Sequence, residues 1–167
     1  KLSIAFVCLL ISSFEDIINQ FTVLVLFQPV ILGLSGNVGM QSLAVCVRSL
    51  SNNELSSKSK RLKHILLELR NGMVLGILIA LLTFIIAFLF LTITKAGMIN
   101  GENRAVGISL VVSISIFASL SLSCMFGCLM PILFNSLHID PSAASGPFIT
   151  TLNDVIAIST YFLLAIM

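Results

Sequence analysis

At 167 residues, with 57% hydrophobic and 10% charged residues and a mean hydropathy of +1.12, the chain lies far from the composition of water-soluble domains, and a lipid bilayer is its natural solvent. A formal net charge of +2, with the basic residues gathered in one loop instead of along a stripe, excludes a polyanion-wrapping surface, so nucleic acid is not an expected partner. The length holds roughly five spans of about 20 residues and no second domain of ordinary size, so residues 1–167 read as one membrane domain.

The first apolar run, Leu2 to Ser13, starts abruptly at Lys1 and leads to no small-residue cleavage site, so it reads as a retained span of a fragment of a longer protein. Glu15 and Asp16 follow it, on the outer side in the topology derived below. There they either concentrate cations at a pore mouth or are simply solvated. The second run, Phe21 to Val47, is interrupted from Gln28-Pro29 through Gly33, Gly36-Asn37, Gly39 and Gln41-Ser42. Close helix packing accounts for the glycines. It does not account for Asn37 and Gln41, and a helix broken at membrane depth usually lines a cavity or pore.

The stretch Ser49 to Lys63, rich in Ser, Asn and Lys, has no apolar periodicity and reads as a flexible, solvated loop. His64 and His138 are both placed in loops. Met73 to Thr94 and Val106 to Phe134 form the third and fourth runs. Cys124 and Cys128, four apart on one face of the fourth, read as packing residues, with no histidine in that span to help bind a metal. Cys8 and Cys46 also lie in apolar runs, unlike the cysteines of a secreted disulfide framework.

Before the fifth run, Ala143 to Met167, Asp140 reads as a helix N-cap and Pro141 as the first helical residue. Pro147 would then lie inside the helix and free the carbonyl of Ala143. Counted from Asp140, Asp154 falls about 20 Å along that helix, near mid-membrane, where a carboxylate is costly unless it faces water or a cation. Gly146, Thr150 and Asp154 recur every four residues and stack on one face, with Asn153 beside them. Carboxylate, hydroxyl and carbonyl oxygens are hard ligands suited to Mg²⁺ or Ca²⁺.

Five long unalternating apolar runs must be helices in lipid, so the fold class is all-α, an integral membrane protein of five transmembrane helices. Lys1, Arg48, Lys58, Lys60, Arg61, Lys63 and Arg70 fall on one side of the membrane, with Lys95 and Arg104 on the other. That bias puts the N-terminus in the cytoplasm and, with five spans, Met167 outside. A C-terminal tag reached only from the cytoplasm would contradict this topology.

The two motifs together, Pro29, Gly33, Gly36-Asn37, Gly39 and Gln41-Ser42 with Arg48, then Asp140-Pro141 through Ser145-Gly146-Pro147 to Thr151 and Asp154, resemble the MgtE family of magnesium channels. The family is also related to a eukaryotic group of magnesium carriers. The resemblance covers almost the whole chain. It implies a homodimer with a pore along its two-fold axis, lined by the second and fifth helices, and passive conduction of Mg²⁺, the transported ion. It implies that Asp154 recognises a largely hydrated Mg²⁺, with contributions from Thr150 and from backbone oxygens at Gly36 and Gly146. Asn37, Gly39, Gln41, Pro147 and Asn153 are the remaining pore-lining candidates. Ser35 stands where the family commonly has glycine, and Met40 where Asn is expected. The cytoplasmic regulatory region that precedes the first span in this family is absent from this sequence.

An ion-coupled exchanger is the alternative, although coupling calls for further mid-membrane acids or bases and only Asp154 reads as deep. Gly33-Leu34-Ser35-Gly36 matches the G-x-S-G pattern of rhomboid-like proteases, but no base is placed to activate Ser35, and no enzyme activity is expected.

Overall fold

The computed structural model describes residues 8, 11, 12, 14, 15, 22–99, 102–141 and 147–166. A 3-10 helix, Thr22–Phe27, runs into α1, Gln28–Ser51. Then come α2, Lys58–Ile93, α3, Ala105–Ser136, and α4, Pro147–Ile166. Between α2 and α3, β1 (Met98–Ile99) pairs antiparallel with β2 (Glu102–Asn103). Among the described residues, four helices are long and apolar enough to cross a membrane, covering Val23–Ser51, Lys58–Ile93, Ala105–Ser136 and Phe148–Ile166. The all-α membrane architecture holds. The first expected span lies almost entirely outside the described residues.

Helix α3 is the hub, packing against α2, α1 and α4, while α1 also packs on α4. Its sequence suits this position. It carries no charged residue, and Ser109, Ser113, Ser115, Ser119, Ser121 and Ser123 are buried, small enough to let neighbouring helices come close. Several of these hydroxyls donate back to their own helix, Ser109 to the Ala105 carbonyl at 2.7 Å and Ser113 to the Ser109 carbonyl at 2.7 Å. The closest approach is at Gly127, where a β-carbon would collide with the carbonyl oxygen of Gly39 on α1. Beside it Ser42 Oγ donates across to the Cys124 carbonyl at 2.8 Å.

Helix α2 packs on α3 with one side and turns Ile77, Leu78, Leu81, Leu82, Ile85 and Ile86 outward, as a lipid-facing helix must. Its 36 residues span roughly 54 Å, more than a bilayer core of about 30 Å, so the charged segment from Lys58 to Arg70 extends past the apolar part.

Three expectations are corrected here. The Ser49 to Lys63 stretch is mostly helical: Ser57 caps α2 by accepting from the Lys60 N–H at 3.3 Å, leaving 52–57 as the connection. His64 is therefore on a helix. In that connection Glu54, hydrogen-bonded to Ser49 and Asn52, is held below the usual carboxylate range. Next, the expected break from Pro29 to Ser42 is continuous α-helix. Pro29 stands at the start of α1, where its missing N–H costs nothing. The proline that does lie inside a helix is Pro131 of α3, which sequence reading passed over. Finally, Asp140 is in irregular chain and Pro141 in a turn instead of the first helical position, and α4 is described from Pro147 on.

Candidate functional site

Helix α4 is fixed at both ends. Near its start Phe148 packs on Phe134 of α3, ring centroids 5.9 Å apart. Near its end Tyr161 Oη donates to the Leu24 carbonyl at 2.7 Å, and Phe162 stacks on Phe14 at 5.1 Å. Between these anchors α4 runs antiparallel to α1: Tyr161 meets the start of the α1 span, and Thr150 Oγ1 contacts Met40 Sδ at 3.9 Å.

The register is set by Gly39 and Asn153. Asn153 is fully buried against α1, and a β-carbon at Gly39 would collide with its carboxamide, so only glycine admits this approach. Both polar atoms of that carboxamide are buried and lack a hydrogen-bond partner among the described residues. An unsatisfied buried amide costs about 1–3 kcal/mol. Ions or solvent reaching this groove would find donors and an acceptor unspent.

Beside Asn153, Thr150 is exposed and Asp154 half-buried on the next face of α4. In the middle of α1 the exposed polar residues are Asn37 and Gln41, four apart and therefore on one face, with Gly36 half-buried next to them. With Thr150 opposite Met40, the antiparallel register carries Asp154, one turn further, to the level of Gly36 and Asn37. That is the middle of the span Val23–Ser51. Along α4, Asp154 is seven residues from Pro147, about 10 Å. Its depth comes from the helix it faces.

Asp154 is the one charged residue of α4, and no described Lys or Arg pairs with it. The α1 and α4 faces thus bring Asn37, Gln41, Thr150 and Asp154 to one open side of the bundle, with Gly39 and Asn153 as the joint behind them. A lipid-facing surface with amides and a carboxylate at this depth is unfavourable by several kcal/mol.

The expectation for the Gly36 carbonyl changes, because with no break in α1 this oxygen belongs to the helix ladder. Gly146 and Asp16 lie outside the described residues. Pro147 is placed as the first residue of α4. Glu15 is exposed next to Phe14, at the end of the bundle opposite the 52–57 connection. Ser35 is fully buried and donates to the Ile31 carbonyl at 2.6 Å, which commits its hydroxyl to its own helix and not to nucleophilic chemistry. Sequence reading did not find Glu68, buried on α2 at 7% exposure. Only its helical spacing of four from His64 could have flagged it.

The chain is similar to known proteins over most of its length. Residues 28–164, which include all of α1 and nearly all of α4, match the family model MgtE, described as a divalent cation transporter. The chain is 35% identical over 153 residues to the magnesium transporter MgtE of Bacillus subtilis (strain 168), covering 92% of this chain and 31% of that protein. It is 36% identical over 159 residues to the protein of the same name from Enterococcus faecalis, covering 95% of this chain and 32% of that protein. For the Thermus thermophilus protein of that name the identity is 31% over 159 residues, covering 93% and 32%. The chain spans about a third of the length of these curated relatives. With most of its length, and both helices of the polar face, inside the matched region, the chain belongs to the MgtE family of divalent cation transporters.

Proposed function

We propose that this chain conducts Mg²⁺ passively across a cell membrane through a pore formed where two copies bring their α1 and α4 faces together. The observation that carries the reading is the open polar side of the bundle, with half-buried Asp154 level with Asn37 in the middle of the span. One copy leaves that side to lipid, whereas a second copy related by a two-fold axis encloses it and places two Asp154 carboxylates on the axis. Mg²⁺ gives up its waters reluctantly, so the amides of Asn37 and Gln41 and the Thr150 hydroxyl serve a hydrated ion by hydrogen bonds to its water shell. The magnesium transporters among its relatives support the choice of ion.

Orientation follows the basic residues: the 52–57 connection, flanked by Arg48 and Lys58 to Arg70, faces the cytoplasm, and the hairpin between α2 and α3 with Lys95 and Arg104 faces outward. Glu15, at the outward end, then stands where cations approach. A divalent ion entering a negative interior gains about 4.6 kcal/mol per 100 mV, so no coupled energy source is needed.

The test is Mg²⁺ influx into liposomes containing the chain, driven by an imposed inside-negative potential. Flux that rises with the potential and is indifferent to Na⁺ and proton gradients is the expected result. Flux abolished when those gradients are collapsed at constant potential would instead identify an ion-coupled exchanger.

A further inference from the structure

Away from the polar face, at the end of the bundle that carries the 52–57 connection, three helices bring soft ligands together. Cys46 lies near the end of α1, His64 in the second turn of α2, and Cys128 in the last third of α3. One ligand atom from each, the two sulfurs and an imidazole nitrogen, all lie within 4.8 Å of one another. Cys46 and Cys128 are fully buried, with Leu55 and Ile132 in the same apolar cluster.

The three side chains are not otherwise engaged by strong partners. Cys46 Sγ donates to the Cys128 carbonyl at 3.2 Å and Cys128 Sγ donates to Cys46 Sγ at 3.5 Å, both weak thiol hydrogen bonds. His64 Nε2 is buried and has no hydrogen-bond partner among the described residues. Glu68, one turn on from His64 along α2, is also buried, and no described residue forms an ion pair with it. A half-buried imidazole with its Nε2 buried and a buried carboxylate near two buried thiols, with no ion pair to the carboxylate among the described residues, make a built but unneutralised set.

We infer that Cys46, His64 and Cys128 form a binding site for one thiophilic divalent ion of the Zn²⁺ class, separate from the Mg²⁺ pathway. Two sulfurs and one nitrogen match three corners of a tetrahedral zinc site, in which bond lengths of about 2.3 and 2.0 Å set ligand separations of roughly 3.5 to 3.8 Å. The observed sulfur separation of 3.5 Å already lies there, and the remaining pairs close by at most about 1 Å. Glu68 lies outside this group of ligand atoms, which leaves the fourth corner to a solvent ligand. Thiolate and imidazole select Zn²⁺ or Cd²⁺ over Mg²⁺, which demands oxygen. Binding converts two thiols to thiolates and releases two protons to solvent, one from each cysteine. The ion would tie α1, the helix bearing Asn37 and Gln41, to α2 and α3.

The experiment is titration of the purified, reduced full chain in detergent with Cd²⁺, following the thiolate-to-metal charge-transfer band and the protons released. One equivalent per chain, two protons per ion and no competition from excess Mg²⁺ are expected. Cys46→Ser and Cys128→Ser should each abolish the band. His64→Gln should weaken binding by at least the roughly 10–100-fold that outer-shell changes alone cause. Cys8→Ser, Cys124→Ser and Asp154→Asn should leave it unchanged. A band that survives both Cys46→Ser and Cys128→Ser, or that follows Cys8 or Cys124, overturns the proposal. Should a variant fold poorly by its helical circular dichroism, wild-type protein decides. Cd²⁺ should shield Cys46 and Cys128 from maleimide, read by peptide mass spectrometry, and labelling indifferent to Cd²⁺ overturns the site.

Discussion

Asp154→Asn is expected to lower potential-driven Mg²⁺ flux by about 100-fold or more while leaving the protein folded and inserted. Asparagine has the shape of aspartate without its charge, and the half-buried position tolerates it, so packing on α1 is retained. What changes is the attraction for the ion. A unit charge about 4 Å from a divalent ion is worth roughly 8 kcal/mol at an effective dielectric constant near 20, before dehydration is set against it. A net remainder of only about 3 kcal/mol already corresponds to roughly 100-fold. Asp154→Glu, which keeps the charge but lengthens the arm, should retain measurable flux. Liposome flux with the amount of inserted protein quantified checks both, and full flux in Asp154→Asn would remove this carboxylate from the pathway.

Gly127→Val should destabilise the bundle by about 3 kcal/mol, at the upper end of the cost of overpacking a core. The reason is local. A β-carbon there meets the Gly39 carbonyl, which is backbone and cannot rotate away, so α1 and α3 must separate. Separation also stretches the Ser42 to Cys124 hydrogen bond and carries Gly39 off Asn153, loosening the joint behind the polar face. Gly107→Val on the same helix is the control, because nothing lies within 4 Å of a β-carbon at that position. Thermal unfolding in detergent should show Gly127→Val lower by roughly 6–12 °C and Gly107→Val little changed. Equal melting temperatures for the two would contradict the close α1 to α3 contact.

Much of this architecture was legible in the residues, and what was missed has physical causes. Long apolar runs announce lipid-exposed helices, so the bodies of α1, α2, α3 and α4 could be placed from hydropathy alone. Hydropathy does not report helix propensity. The part of the expected Ser49 to Lys63 loop from Lys58 on is polar and charged, yet its Lys, Arg and Leu residues are good helix formers behind a serine cap. Pro29 misled for a related reason: it stands at the start of α1, and the sequence around it reads equally well as a broken helix.

At the site, Asp154 stood out because it is an acid within an apolar run, and the spacing to Thr150 followed from helical geometry. Its level in the membrane did not follow, since that depends on the register between α4 and α1. The register rests on Gly39 meeting Asn153, a contact between residues more than a hundred positions apart. The same holds for Cys46, His64 and Cys128, which no local spacing connects.

In the pore proposed above, the face of α1 and α4 bearing Asn37 and Asp154 meets its copy across a two-fold axis. Cysteine cross-linking in membranes tests it most directly, with Asn37→Cys compared against Leu78→Cys on the outward face of α2, both in a chain whose native cysteines are replaced. Covalent dimer from Asn37→Cys, reduced when Mg²⁺ occupies the axis, and none from Leu78→Cys, is the expected result. Dimer from Leu78→Cys with none from Asn37→Cys would place the interface on the other side of the bundle and contradict the pore.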